Sequence, residues 1–355
     1  MKPINITGSE RILITRADRI GDLLISTPVF EAIKKKYPKV FLAVLVLKEN
    51  QSVVVGNPWI DEVIIFDKKG RHKNWIKTFF FGLSLRKQKF DIAIHLHATN
   101  RVNIISWAAG IPVRIGYKVV LGRHGRNDFL LTHKITELKW HGRKHEAEYN
   151  FDLLKFIHVP QPEEFKFFFP LVNQDLEDLT KLLPQGLIDR YVVFHPSASC
   201  VSKRWPSERF ANVADRLAAD YDVVPIIIGE DEGIFYAGEM ESKMNCKVLN
   251  LSGKLRLGML AWLLKGARLL VSNDSGPVHL AVAVGTPVIS IFGRSQPGLS
   301  PTRWRPLSAN GTYIHKDVGC VVCLAHKCEI NFKCLTEILV DDVLKFVKEY
   351  EPILV

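Results

Sequence analysis

The chain has 355 residues, with 48 Lys and Arg against 37 Asp and Glu, a formal charge of +11, and an apolar share of 47%. That length and composition suit two folded domains and exclude a disordered chain. No apolar run nears the roughly 18 residues that a membrane span takes, and the start of the chain lacks the long apolar stretch of a signal peptide. A cytoplasmic location is therefore expected, with peripheral contact at the inner face of a membrane left open.

The charge is uneven. Residues 1–170 carry 28 Lys plus Arg against 16 Asp plus Glu, or +12, and the remainder stands at −1. An anionic partner for the first half would explain the excess, and so would a solvated basic face. Residues 11–15 read as a strand and 20–36 as a helix, joined by a loop from Arg16 to Asp22 that has a Gly but no GxGxxG, which argues against a nicotinamide-dependent dehydrogenase. Strands are expected over 40–47, 63–66, 91–96 and 113–117, and helices over 75–86 and 101–109. This alternation predicts a parallel sheet with helices on both faces. Two basic segments are rich in aromatics: 68–89, with Trp75 and Phe79 to Phe81, and 114–144, with Trp140. They suit a membrane interface or a phosphorylated glycolipid better than DNA, and no nucleic-acid motif accompanies them. At least one of the three phenylalanines is expected in the core.

A domain boundary is expected between 160 and 190, with a linker region carrying a helix over 174–182. A new alternation then begins: strand 191–195, helix 208–219, strand 223–228 and helix 257–265. The loop after the first of these strands carries Ser199 and then Lys203-Arg204, small hydroxyls and cations that could hold a diphosphate at a strand end. Glu230, with Glu232 behind it, is placed to meet ribose hydroxyls. After a strand at 269–271, Asp274-Ser275-Gly276 opens a helix, where free N–H groups and the helix dipole favour a phosphate, and His279 lies about a turn further in. Asp274 as an ordinary helix cap and His279 as a core histidine are the plainer readings. Cys320, Cys323, Cys328 and Cys334 have spacing that can bind zinc but lack paired CxxC motifs. Residues 340–350 form an amphipathic helix.

The run Asp274-Ser275-Gly276-Pro277-Val278-His279-Leu280-Ala281, followed by Gly285-Thr286-Pro287 and Phe292-Gly293, resembles the C-terminal signature of glycosyltransferase family 9, the heptosyltransferases. The resemblance extends to Arg16, Gly21, Asp22, Pro28 and Tyr37-Pro38, to residues 90–117, and to Lys203, Trp205 and Pro206. It implies an α/β protein of the GT-B class, two Rossmann-like domains facing a cleft. The first, 1–170, would bind the acceptor and the second, 171–339, the nucleotide sugar, with 340–355 packing back toward the first. It also implies an inverting transferase moving heptose from ADP-L-glycero-D-manno-heptose to the inner core of lipopolysaccharide, without a cofactor. No Asp-x-Asp motif stands at a matching strand end, so metal-independent transfer is expected. Asp22 would be the general base. Ser199, Lys203, Glu230, Asp274, Ser275, Gly276 and His279 would hold the donor, and Arg16, Arg101 and Arg114 the acceptor. The alternatives are a family member with another donor or acceptor, and a non-catalytic nucleotide-sugar sensor in which Asp22 merely caps a helix.

Overall fold

The computed structural model describes residues 4–120, 123–124, 127–136, 139–184, 187, 190–320, 323 and 327–354. The chain divides into two units, Met1–Pro170 and Leu171–Val355. In the first unit the strands are β1 (Arg11–Arg16), β2 (Phe41–Leu47), β3 (Glu62–Phe66), β4 (Ile92–His95), β5 (Val113–Tyr117), β6 (Val119–Val120), β7 (Arg123–His124) and β8 (His133–Ile135). Its helices are α1 (Ile20–Lys36), α2 (Trp75–Ser84), α3 (Asn100–Ala108) and α4 (Glu146–Leu154). The second unit has β9 (Tyr191–His195), β10 (Val224–Ile227), β11 (Leu249–Asn250), β12 (Leu269–Asn273), β13 (Val288–Phe292) and β14 (Gly311–His315). Its longer helices are α5 (Asn173–Thr180), α6 (Ser207–Tyr221), α7 (Gly233–Glu241), α8 (Leu257–Lys265) and α9 (Gly276–Val284). The short α10 (Pro301–Trp304) and α11 (Lys333–Thr336) follow, then α12 (Val340–Glu349) and α13 (Glu351–Leu354).

The first sheet runs β3-β2-β1-β4-β5-β8 and the second β11-β10-β9-β12-β13-β14, with every pair parallel; β6 and β7 make a separate antiparallel ribbon. Both sheets have one connectivity: the first strand of each lies between the second and the fourth. In such sheets the order reverses beside the first strand, and ligands bind there, outside the carboxyl ends. These points lie between β1 and β4 in one unit and between β9 and β12 in the other.

Parallel strands covered on both faces read as continuous apolar runs. β2, FLAVLVL, is buried from Leu42 to Val46, and β9 and β13 are buried throughout. Leu13, Ala43, Leu45, Ile64, Val102 and Ile105 share one core. In α1, Pro28 cannot supply the N–H that would bond Leu24 O, and the Thr27 hydroxyl donates to that carbonyl instead, at 2.8 Å, so the helix continues past the proline.

The C-terminal helix, expected to turn back toward the first unit, is built into the second. Val343 and Val347 of α12, with Tyr350, join the core that holds Val192, Phe194, Trp205 and Ile289. The helix expected over 174–182 also belongs there: Arg256, at the N-cap of α8, pairs with Asp175 and Asp178 of α5 at 3.0 and 2.7 Å. The linker expected around it extends into residues that lie partly outside those described.

Candidate active site

In the first unit the reversal point is filled by charge. Arg16, the last residue of β1, is buried, and its guanidinium donates to Asp18 Oδ1 at 3.0 Å, Asp22 Oδ1 at 2.9 Å and Glu146 Oε1 at 3.0 Å. It also reaches Asn150 Oδ1 at 3.2 Å and Leu96 O at 3.3 Å. Lys139 Nζ lies 3.0 Å from the same Glu146 oxygen. His97, two residues past β4, has Nδ1 3.5 Å from Asp18 Oδ2.

Two cations thus face three carboxylates in a site mostly shut from water, where charge is costly unless paired. Burial opposes the charge of Arg16, but Asp18, Glu146 and Asp22 outweigh it and raise its pKa, so it stays protonated. Burial raises the Asp22 carboxyl, the Asp18 charge adds to this, and Arg16 offsets only part. Asp18 is raised by burial in the same way, with Arg16 opposing. Burial, then repulsion from Arg16, pushes His97 down to about 4, leaving it neutral at pH 7. Asp22 keeps 14% of its side chain exposed, so a carboxylate with a raised pKa, and hence greater basicity, remains within reach of solvent. It is not the helix cap: Arg19 is the N-cap of α1, and Asp22 sits inside the first turn.

In the second unit the equivalent point is built from neutral polar groups and one ion cluster. His195, the last residue of β9, lies with Nε2 2.9 Å from Ser197 Oγ and Nδ1 2.9 Å from Ser275 Oγ. Burial holds it down at about 4, so it is a neutral bridge between the loops after β9 and β12. Asn273 adds two stitches, its Nδ2 donating to Pro196 O at 2.7 Å and its Oδ1 accepting from Trp205 N at 2.9 Å. Lys203 Nζ, carried by the first loop, lies 2.7 Å from Asp274 Oδ2 in the second, and Arg294 Nη2 lies 3.5 Å from the same oxygen. Two cations around one carboxylate leave a net positive charge. Arg294 is buried, yet among the described residues its Nε has no hydrogen-bond partner.

Ser275 is the N-cap of α9, but its hydroxyl is drawn to His195 and caps no helix N–H. Beside it Gly276 opens onto free space: a Cβ there would meet nothing within 4 Å. An uncapped helix start, open in front and flanked by Lys203 and Arg294, is an arrangement that accepts an anion.

The description glycosyltransferase family 9 (heptosyltransferase) matches residues 79–333, most of the chain. The chain belongs to glycosyltransferase family 9. Lipopolysaccharide heptosyltransferase 3 of Escherichia coli is 30% identical over 300 residues, covering 82% of this chain and 84% of that protein. The crystal structure of a family 9 glycosyl transferase from Veillonella parvula superimposes with a TM-score of 0.86 at 24% identity, covering 98% of this chain and 99% of that one. The E. coli heptosyltransferase WaaC with ADP-2-deoxy-2-fluoro heptose gives 0.70 at 19% identity, covering 96% and 99%. The fold is thus the GT-B fold of the heptosyltransferases, and the chain is a glycosyltransferase of heptosyltransferase type.

Within this family 9 chain, each arginine expected to meet the acceptor also bonds to groups of the first unit. Arg16 spends its donors on the buried cluster. Arg101 donates to His72 O at 2.9 Å, Lys73 O at 2.6 Å and Thr78 Oγ1 at 3.3 Å, pinning the loop before α2. Arg114 donates to Leu130 O at 2.6 Å and to Ile111 O. These guanidiniums answer carbonyl, carboxylate and other oxygens brought to them by the fold, which a sequence pattern does not reveal.

Of the expected donor group, Lys203, Asp274, Ser275 and Gly276 come together, with His279 buried in the first turns of α9. Asp274 is an ion-pair partner of Lys203, not a helix cap. Ser199 is exposed in its loop, and Glu230 is exposed three residues past β10. Glu146, Asn150, Lys139, His97, His195 and Arg294 were not foreseen. A signal for α4 existed: His145 and Glu148 form a capping box, Glu148 Oε2 accepting from His145 N at 2.7 Å.

The four clustered cysteines all line one cavity of about 140 Å³ beside Arg294. Burial, with the neighbouring thiols, pushes Cys334 up to about 11. Among the described residues no group of three His, Cys, Asp or Glu side chains is placed to hold a metal ion. Nor, among them, is any helix long and apolar enough to cross a membrane.

Proposed function

We propose that the chain transfers heptose from ADP-L-glycero-D-manno-heptose to the inner core of lipopolysaccharide, inverting the anomeric centre, at the cytoplasmic face of the inner membrane. The observation that carries this reading is the pairing of Asp22 with Arg16 at the reversal point of the first sheet, an oriented and still accessible base. The bound ADP-heptose analogue of WaaC supports the donor class.

In the reaction, the acceptor hydroxyl oxygen attacks the anomeric carbon as its proton passes to the Asp22 carboxylate. The bond from that carbon to the β-phosphate oxygen breaks, and ADP leaves with the electron pair. Arg16 fixes the Asp22 carboxylate, Glu146 fixes Arg16, and Lys139 fixes Glu146. We assign the leaving diphosphate to Lys203, Arg294 and the start of α9, fixed dipoles and charges that need no reorganisation as the negative charge develops. Ser199 and Glu230 are assigned to the donor as well, Glu230 on the ribose hydroxyls.

The test is incubation with a panel of nucleotide sugars and truncated lipopolysaccharide acceptors, with products read by mass. The expected product is the acceptor plus one heptose. Donor binding without transfer from any sugar would favour a nucleotide-sugar sensor instead, and transfer of another sugar would reassign the donor.

A further inference from the structure

One helix of the first unit shows solvent a face that the transfer chemistry does not use. α2, WIKTFFFGLS, packs on α3 at Gly82, where a Cβ would approach Ile105 O to 2.8 Å, and Phe81 turns inward to stack on Phe66 and His72. Its other side points out: Trp75 is 51% exposed, Ile76 68% and Phe80 62%, and Trp107 of α3 continues the patch at 49%. Phe79 bridges the two helices, its ring 6.0 Å from Phe80 and 6.2 Å from Trp107. Arg101 lies over the Trp75 ring at 5.0 Å, holding it in place. A cluster of large apolar side chains on a surface marks a contact site more often than a scattered few would.

The stretch of chain that carries this patch is basic. From Lys68 to Lys89 there are eight Lys or Arg and no Asp or Glu. Lys68, Lys69, Arg71, Lys73 and Lys77 are exposed. The nearby acids are partly occupied: Glu49 pairs with Lys69 at 3.2 Å, and Asp67 accepts from the Gly70 and Arg71 amides at 2.8 and 3.1 Å. Aromatic and aliphatic groups on one face with cations around them match the two layers of an anionic bilayer surface, acyl boundary and headgroups.

We propose that the outward face of α2, with Trp107, docks this protein on a bilayer rich in anionic phospholipid, Trp75, Ile76 and Phe80 entering the interface and the surrounding lysines meeting headgroup phosphates. This deepens the acceptor side of the proposed function, because a lipid-anchored acceptor is met only at such a surface.

The experiment is co-sedimentation of the full chain with phosphatidylcholine vesicles, with and without roughly one third phosphatidylglycerol. Binding is expected to the anionic vesicles, weakening as salt screens the charges. The double variant Ile76→Asp, Phe80→Asp should bind at least about tenfold more weakly, and Lys68→Glu with Lys77→Glu should abolish the preference for anionic lipid. All four side chains are exposed, so the melting temperature should hold in both variants. Wild-type protein that ignores anionic vesicles, or a double variant that binds as well as wild type, overturns the inference. So does self-association through this face without vesicle binding. Transfer to a deacylated, water-soluble acceptor should be unchanged in both variants, and its loss would make the face an acceptor site instead. Vesicle binding needs no turnover, so docking is measured independently of whether heptose is transferred.

Discussion

Arg16 Nη2 donates to Asp22 Oδ1 across 2.9 Å, linking the last residue of a strand to the first turn of the helix that follows it. Asp22 cannot swing away to serve as a surface charge. The same guanidinium touches Asp18 and Glu146, so Asp22 is held by a group that is itself held from two other sides.

Asp22→Asn keeps an oxygen to accept from Arg16 but cannot take a proton. We expect a folded protein with donor affinity near wild type and a kcat at least about a hundredfold lower, the scale of general-base catalysis. Steady-state kinetics beside ADP titration will decide it. Near-normal turnover would pass the role to Asp18, which shares the cluster, or to Asp91.

Two buried imidazoles and a third that is mostly covered set an acid limit on stability. His95 is held down at about 3 by burial and then Arg114, and His97 and His195 at about 4. An unfolded histidine titrates near 6.5, so as the pH falls below about that value the unfolded chain binds protons that the folded one refuses. Their contribution is full above about 6.5 and is lost as the pH falls toward 4. Asp18 and Asp22, raised by burial, act with opposite sign: theirs is present below the ordinary Asp value of about 3.9 and lost as pH rises through their folded values. The melting temperature should therefore drop between about pH 6.5 and 4.5, and His95→Gln should flatten the slope. A wild-type curve level across that range would contradict the neutral-imidazole assignment.

How much of this could be read from residues alone differs between the two sites. The donor-side turn was legible because its parts are contiguous: Asp274, Ser275, Gly276 and His279 lie within one strand-turn-helix, and Lys203 sits in a loop of recognisable chemistry. The Arg16–Asp22 pair is equally local, its members six residues apart. Glu146 and Asn150 were not, since they reach Arg16 from α4, 130 and 134 residues away. Pattern reports which face of a helix is apolar; it does not report which buried cation a distant carboxylate will answer. The carbonyls that Arg101 and Arg114 answer were likewise not legible, because a motif position does not report its hydrogen-bond partners. The short edge strands β8 and β11 left too little periodicity to read.

Lys203 pairs with Asp274 at 2.7 Å, so the diphosphate proposed to bind there would have to compete with Asp274. Lys203→Ala should weaken ADP by about 1.5–3 kcal/mol, the worth of a charge-assisted hydrogen bond. Asp274→Asn removes the competitor and should leave affinity equal or higher. Calorimetry in EDTA reads both, and binding that appears only on adding Mg²⁺ would remove the metal-free account of the diphosphate.

The loop that carries Lys203 is anchored where its own neighbourhood in sequence would not suggest. Trp205 Nε1 donates to Ile338 O at 2.9 Å across 133 residues, and Arg209 donates to Thr336 O at 2.7 Å and to Ile338 O. α12, beginning two residues later, is buried against the same core. Trp205 shares that core with Val343 and Val347, so a substitution that unpacks α12 would be felt in the Lys203 loop more than a hundred residues earlier in the chain.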